Sequence, residues 1–185
     1  MDYFESTVKT LLESEGYWVR QSFKVNLTKE EKRNIGKPSI PRPEIDLLAY
    51  KPERNIIFAI EAKSYFDSPG VRVSDLSASH EIPEGGYKLF TCTNYRNIVF
   101  SRLKQDIIEN GMGNDSTEIV LGLAAGNVYQ AKSSEILRLF QAKGWLFWSP
   151  EDIRKKVISL AEKGYENEPS IITAKILLRN HGKDA

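Results

Sequence analysis

Asp46 stands in the stretch PEIDLLAY, and Glu61 and Lys63 close the stretch IIFAIEAK. Both stretches are apolar and β-branched, and KPERN between them carries turn signals, so they read as strands over Glu44–Tyr50 and Ile56–Lys63. So short a connection makes an antiparallel hairpin. With the turn centred between Glu53 and Arg54, Asp46 faces Glu61 across the hairpin, Cβ atoms ~5 Å apart. Lys63, two residues beyond Glu61, projects from the same face. Two adjacent carboxylates repel unless a cation joins them or one is protonated. Oxygen ligands without a His/Cys cluster favour a hard cation, Mg²⁺ or Mn²⁺, over zinc. A cation held by Asp46, Glu61 and the main-chain carbonyl of Ala62 would polarise a phosphate and ready a water. Lys63 would orient or deprotonate that water, or stabilise negative charge as it develops at phosphorus. The alternative is an ion pair of Lys63 with Asp46 or Glu61 at the sheet rim.

The elements around this hairpin have to position it. Phe4, Val8, Leu11 and Leu12 recur at helical spacing across residues 3–15, with Gly16 as a stop. A strand follows from Trp18 to Leu27. After the hairpin, residues 67–86 are rich in Pro and Gly around a short helix near Val73–Ser79. YKLFTCTN reads as a fourth strand, Asn94 as the cap of a helix over Tyr95–Glu109, and EIVLGLAAG as a fifth strand. SSEILRLFQAKG is helical and WLFW a short strand. SPEDIRKKVISLAEKG is a helix with Ser149 as cap, Pro150 in its first turn and Gly164 as its stop. NEPSIITAKILLRN is a last helix, and His181–Ala185 reads as a frayed tail. The order predicts an α/β fold, a mixed central sheet flanked by helices in a single domain, with a core over about residues 1–130 and a helical C-terminal extension over about 131–180.

Composition narrows the classes. The chain has 185 residues, 41% hydrophobic and 28% charged, which suits a globular domain with its own core. One cysteine, Cys92, leaves no intramolecular disulfide and no cysteine-rich zinc site. No apolar run reaches the roughly 18 residues of a membrane span, and the acidic start MDYFESTVKT is unlike a signal peptide, so a cytoplasmic protein is expected. The net charge of +1 gives no bulk argument for nucleic acid. Locally, the stretch from Lys29 to Arg42 concentrates Lys29, Lys32, Arg33, Lys37 and Arg42 against Glu30 and Glu31. On the helix after YKLFTCTN, Tyr95, Arg96, Arg102 and Lys104 are either phosphate contacts or a solvated face. His80 and His181 lie in polar contexts and read as ordinary exposed histidines. Cys92 and the tryptophans Trp145 and Trp148 read as core.

PEIDLLAY followed by IIFAIEAKSY resembles the core of the PD-(D/E)xK nucleases, the restriction-endonuclease-like superfamily. There an acid on one strand is followed by (D/E)-x-K at the end of the next. The resemblance places Asp46 as the first acid, Glu61 as the second and Lys63 as the lysine. It also implies a metal-binding glutamate on the N-terminal helix, for which Glu5, flanking the Val8/Leu12 stripe, is the candidate. The pattern's proline does not adjoin Asp46, since the sequence runs Pro43-Glu44-Ile45-Asp46; Pro43-Glu44 is the alternative match, Asp46 is preferred for its hairpin pairing and its apolar neighbours, and Glu44 is then a candidate supporting residue. The likeness covers about residues 1–109 and leaves the C-terminal third unexplained. It implies a Mg²⁺- or Mn²⁺-dependent endonuclease hydrolysing phosphodiesters, with DNA as the expected nucleic acid and a restriction, repair or junction-resolution role. Lys29, Lys32, Arg33 and Lys37 would hold the backbone by contacts that carry no sequence information. A nuclease of this size that cuts both strands commonly works as a homodimer. The rival expectation is a non-catalytic nucleic-acid-binding or assembly module with the same fold.

Overall fold

A computed structural model describes residues 2–178 of the chain, so His181 and the tail lie outside the described residues. A five-stranded mixed sheet runs through the fold in the order β1 (Trp18–Lys24), β2 (Glu44–Lys51), β3 (Ile56–Lys63), β4 (Glu118–Ala125), β5 (Leu146–Trp148). β1–β2 and β2–β3 are antiparallel, whereas β3–β4 and β4–β5 are parallel. The tight connection between β2 and β3 is a turn of 3₁₀ helix, Pro52–Arg54, closed by Asn55 in the left-handed region at φ 52°. It sets the expected register, with Lys51 opposite Ile56 and Leu47 opposite Ile60.

A parallel β3–β4 pair requires a crossover, and residues 64–117 supply it. They carry α3 (Val73–Ser77), α4 (Lys88–Thr91) and α5 (Thr93–Glu109). Residues Tyr87–Asn94, expected as a strand, are instead α4 and the start of α5. Their Tyr, Phe and Thr content imitates a strand, but Tyr87 and Leu89–Cys92 are all buried, on every side rather than one. On this face of the sheet Val99, Leu103 and Ile107 of α5 pack with Ile57, Ala59, Leu121 and Leu123, together with Ile136 and Phe140 of α6 (Ser133–Ala142).

The other face is covered by α1 (Tyr3–Ser14), α7 (Pro150–Leu160) and α8 (Pro169–Leu178). Phe4, Val8, Leu11 and Leu12 of α1 meet Leu47, Ala49, Ile60 and Ala62 of the sheet and Ile153, Leu160, Ile171 and Ala174 of the last two helices. Full burial of one such leucine contributes about 2 kcal/mol, so this stripe fixes how α1 lies on the sheet. Asp2 caps α1 by accepting the Phe4 N–H at 2.8 Å, and Ser149 with Asp152 forms a capping box on α7. No helix among the described residues is long and apolar enough to cross a membrane.

The basic segment is also more ordered than a loop. Its residues Lys29–Asn34 form a short helix, α2, capped by Thr28: Thr28 Oγ1 accepts the Glu31 N–H at 3.1 Å and Glu31 accepts the Thr28 N–H at 2.7 Å. Glu31 also pairs with Arg102 of α5 at 2.9 Å, which docks α2 onto α5. Burial works to raise the Glu31 pKa, but the Thr28 N–H and the Arg102 guanidinium outweigh it and hold the carboxyl below its usual range. A depressed folded-state pKa adds stability above the usual glutamate value that is lost as pH falls through the folded value. Glu31→Gln is therefore expected to cost about 1 kcal/mol at neutral pH and to flatten the acid limb of the stability curve below about pH 4.5. Thermal melts of both proteins across that limb measure it, and superimposable curves would refute a stabilising role for the Glu31 charge.

Candidate active site

Asp46 occupies a break in the ladder. The β1–β2 pairing omits the Ser22–Asp46 step, where Ser22 takes a left-handed φ of 51°, and the β2–β3 pairs stop at Leu47–Ile60. The kink rotates the strand, so Val19 packs with the α1 layer while Phe23 and Val25, at the same parity, join the α5 layer. A backbone N–H left at such a break needs a partner. Asp46 supplies it, Oδ2 accepting the Ala62 N–H at 2.8 Å.

That bond brings the acid to the end of β3. Lys63 Nζ lies 2.9 Å from Glu61 Oε2 and 3.5 Å from Asp46 Oδ2. The side chains of Asp46, Glu61 and Lys63 are 18%, 15% and 23% exposed, buried enough for their charges to be weakly screened yet open to a ligand. Burial pushes the Glu61 carboxyl up; Lys63 opposes this and Asp46 adds to it. For Lys63, burial favours the neutral amine, but the charges of Glu61 and Asp46 and its bonds to both override it and raise its pKa. Lys63 is thus an ammonium here, suited to balancing anionic charge rather than to abstracting a proton.

Glu5, on α1, is acted on by the charges of that corner. Its pKa is raised by burial first and by the Asp46 charge next, while Lys63 lowers it. It therefore stands within electrostatic range of both. Glu44, by contrast, turns outward to pair with Lys24 at 3.7 Å while lining the cleft above Glu61.

That cleft, about 230 Å³, is bounded by Arg42, Pro43, Gly85, Gly86, Lys88 and Tyr95 around Glu61. Lys88, at the start of α4, lowers the Glu61 pKa through its charge. Burial, then the Glu61 charge, push the Tyr95 phenol up to about 12. Lys88 escapes a reading in which Tyr87–Asn94 is a strand; the Gly85-Gly86 pair just before it is the available sign that the chain turns there.

The basic residues fare differently. Lys29 and Arg33 are exposed on α2 and Lys32 is half-buried, whereas Lys37 donates to the Pro83 carbonyl at 2.6 Å and so ties its loop to the one above the cleft. On α5, Arg102 is taken by Glu31, Arg96 by the Leu89 carbonyl at 2.9 Å and Lys104 by the Thr117 carbonyl, and Tyr95 is buried. These side chains serve the protein's own packing. Cys92 and Trp148 are buried and Trp145 packs against the α5 core, as expected, while His80 is half-buried rather than exposed.

Comparison with known proteins leaves this geometry standing alone. No family model matches the chain, and no curated protein or solved structure does. Among the described residues, no group of three or more His, Cys, Asp or Glu is assembled to hold a metal. The donor set is nonetheless of the right chemistry. Among the described residues, the hydrogen bonds Asp46 accepts fall on Oδ2, and Oδ1 of Asp46 and Oε1 of Glu61 take none. Mg²⁺ is commonly held by one or two carboxylates with waters and substrate phosphates completing its shell. Two carboxylates brought to one corner by Lys63 fit that requirement.

Proposed function

We propose that the chain is a metal-dependent nuclease with a restriction-endonuclease-like core, cutting phosphodiester bonds in nucleic acid and DNA in particular. The observation that carries the reading is Lys63 bridging Asp46 and Glu61 within 3.5 Å at the end of an antiparallel hairpin. Asp46 and Glu61 would hold Mg²⁺ or Mn²⁺ and Glu5 would extend the set. Such an ion supplies Lewis-acid polarisation of a phosphate and a more acidic water. Lys63, as an ammonium, balances negative charge on the phosphate as it builds, and Lys88 and Arg42 at the cleft attract the polyanion. Lys29, Lys32 and Arg33 extend that attraction along the backbone with strong salt dependence.

The test is cleavage of supercoiled plasmid and of single-stranded DNA in Mg²⁺ or Mn²⁺, with wild type beside Glu61→Ala. Metal-dependent cutting by wild type is expected to fall at least about 100-fold in the variant. Cutting that survives in Glu61→Ala would sink the site assignment. A second reading, a binding module that keeps the fold without catalysis, draws on one observation: Lys63 already pairs with both carboxylates. Nucleic acid bound but never cut, in any metal, would favour it.

A further inference from the structure

Two cations, Arg42 and Lys88, line the cleft around Glu61. Among the described residues neither is in an ion pair, and the half-buried Lys88 ammonium donates no hydrogen bond. Its charge still acts on Glu61, lowering the pKa of that carboxyl. Other cations nearby are engaged within the protein: Lys63 by Asp46 and Glu61, Lys37 by the Pro83 carbonyl, Arg96 by the Leu89 carbonyl. An ammonium that loses part of its hydration without gaining a partner is a cost that folding alone does not explain.

Arg42 is held but not neutralised. Its Nη1 donates to Asn26 Oδ1 at 2.8 Å, an uncharged acceptor. The Asn26 backbone is fixed in turn, its N–H donating at 3.0 Å to Oδ2 of Asp106, a carboxylate on α5 that is only 5% exposed. This chain of bonds orients the guanidinium and leaves its charge available to an anion.

Size and sign select the ligand. At about 230 Å³ the cleft is smaller than pockets that take a drug-sized molecule, and it suits one phosphate group rather than a whole nucleoside. Gly85 and Gly86 also border a neighbouring cavity, where Asp75 and Glu84 repel a polyanion. A strand is therefore favoured only on the side of Arg42 and Lys88.

We infer that Arg42 and Lys88 form a two-point clamp on a single phosphate of the nucleic-acid strand, the one that lies in the cleft beside Glu61, with Asn26 positioning Arg42. The inference rests on the nuclease reading for what reacts at Glu61, and it deepens that reading by turning a general attraction into contact with one phosphate.

Binding measured separately from cutting tests it. With Ca²⁺ in place of Mg²⁺, a short fluorescein-labelled duplex and its single strand are titrated over a range of salt into wild type, Lys88→Met, Lys88→Arg, Arg42→Met, the Lys88→Met/Arg42→Met pair and Asn26→Ala, with inorganic phosphate as competitor. Lys88→Met and Arg42→Met are each expected to weaken binding about tenfold and to lower the slope of log affinity against log salt by about one. Because both side chains grip one phosphate, the paired variant is expected to fall well short of the roughly hundredfold product. Lys88→Arg should recover most of the binding, and Asn26→Ala should weaken it with the salt slope unchanged, since no charge is removed. Lys88→Met deletes an unpaired charge and is expected to melt no lower than wild type. Losses that simply multiply, or binding indifferent to Lys88→Met, would overturn the clamp, as would the absence of binding by wild type. Inorganic phosphate bound as tightly as the strands would overturn it too, by making the cleft a site for the free anion. Wild-type binding by Asn26→Ala would overturn the positioning role. Plasmid cutting with binding indifferent to both cations would overturn the clamp alone, whereas coupled losses of binding without cutting in any metal would overturn the nuclease reading and leave the clamp.

Discussion

Lys63→Met is expected to lower the melting temperature by about 5–10 °C, to end cleavage, and to make stability depend on pH and Mg²⁺ in a way the wild type's does not. The substitution keeps the aliphatic stem and deletes the charge between Asp46 and Glu61. Removing one member of a fully buried ion pair costs about 3–5 kcal/mol. Here the side chains keep 15–23% of their exposure, so the cost is nearer about 2–3 kcal/mol, and about 2–4 °C per kcal/mol gives the shift in a domain of this size. The sign with pH follows from Glu61, whose pKa is already raised by burial and by Asp46 and held back by Lys63. Without Lys63 it rises further. A folded-state pKa above the unfolded one adds stability at low pH that is lost as pH climbs through the folded value. The variant should therefore melt closest to wild type near about pH 5 and fall furthest behind near about pH 8. A ligand that binds only the folded state stabilises it by mass action, so millimolar Mg²⁺ should restore more of the variant's melting temperature than it adds to wild type. Melts at both pH values, with and without Mg²⁺, decide the matter. A uniform loss with no response to either would show Lys63 to be a spacer.

The hairpin that brings these residues together was legible in the chain because two independent signals agree on it. The near-continuous apolar runs of Ile45–Tyr50 and Ile56–Ala62 mark two strands, and Pro52–Asn55 between them can close only a short turn, whose centre sets which residues face each other. Together they set a register in which Asp46 meets the end of β3. The kink at Ser22 was not legible, since nothing in WVRQSFK announces a left-handed serine, and without it the reason for Asp46's freedom from the ladder stays hidden. The helix over Lys29–Asn34 is too short to show periodicity, although Thr28 followed by Glu31 is a capping-box pattern that marks its start. Tyr87–Asn94 misleads for a tertiary reason: packed against α3, α5 and α6, it buries Leu89–Cys92 in succession, and its composition then reports burial rather than backbone conformation. The place of Lys88 beside Glu61 depends on that segment being helical, which is why this side of the candidate site was harder to read than the side built on the sheet.

Asp46 has one task in the fold and, on the proposed reading, a second in catalysis, and Asp46→Asn should divide them. Its Oδ2 accepts the Ala62 N–H at 2.8 Å, a bond that an amide oxygen makes equally well. Lys63 loses a charge at 3.5 Å but keeps Glu61 at 2.9 Å, so no ammonium is left unpaired. The asparagine variant should therefore melt within about 3 °C of wild type and yet cut DNA about 10³-fold more slowly, because a neutral amide is a poor ligand for a hard cation and a poor partner for the ammonium. Asp46→Ala removes the acceptor as well. It leaves the Ala62 N–H unsatisfied at the break in the ladder and should cost a further 1–3 kcal/mol or so. Cleavage rates and melts of the two variants side by side resolve the roles. Wild-type cutting by Asp46→Asn would remove Asp46 from the catalytic set. Equal destabilisation of the two variants would mean that the carboxylate's charge, rather than its bond to Ala62, holds the end of β3 in place.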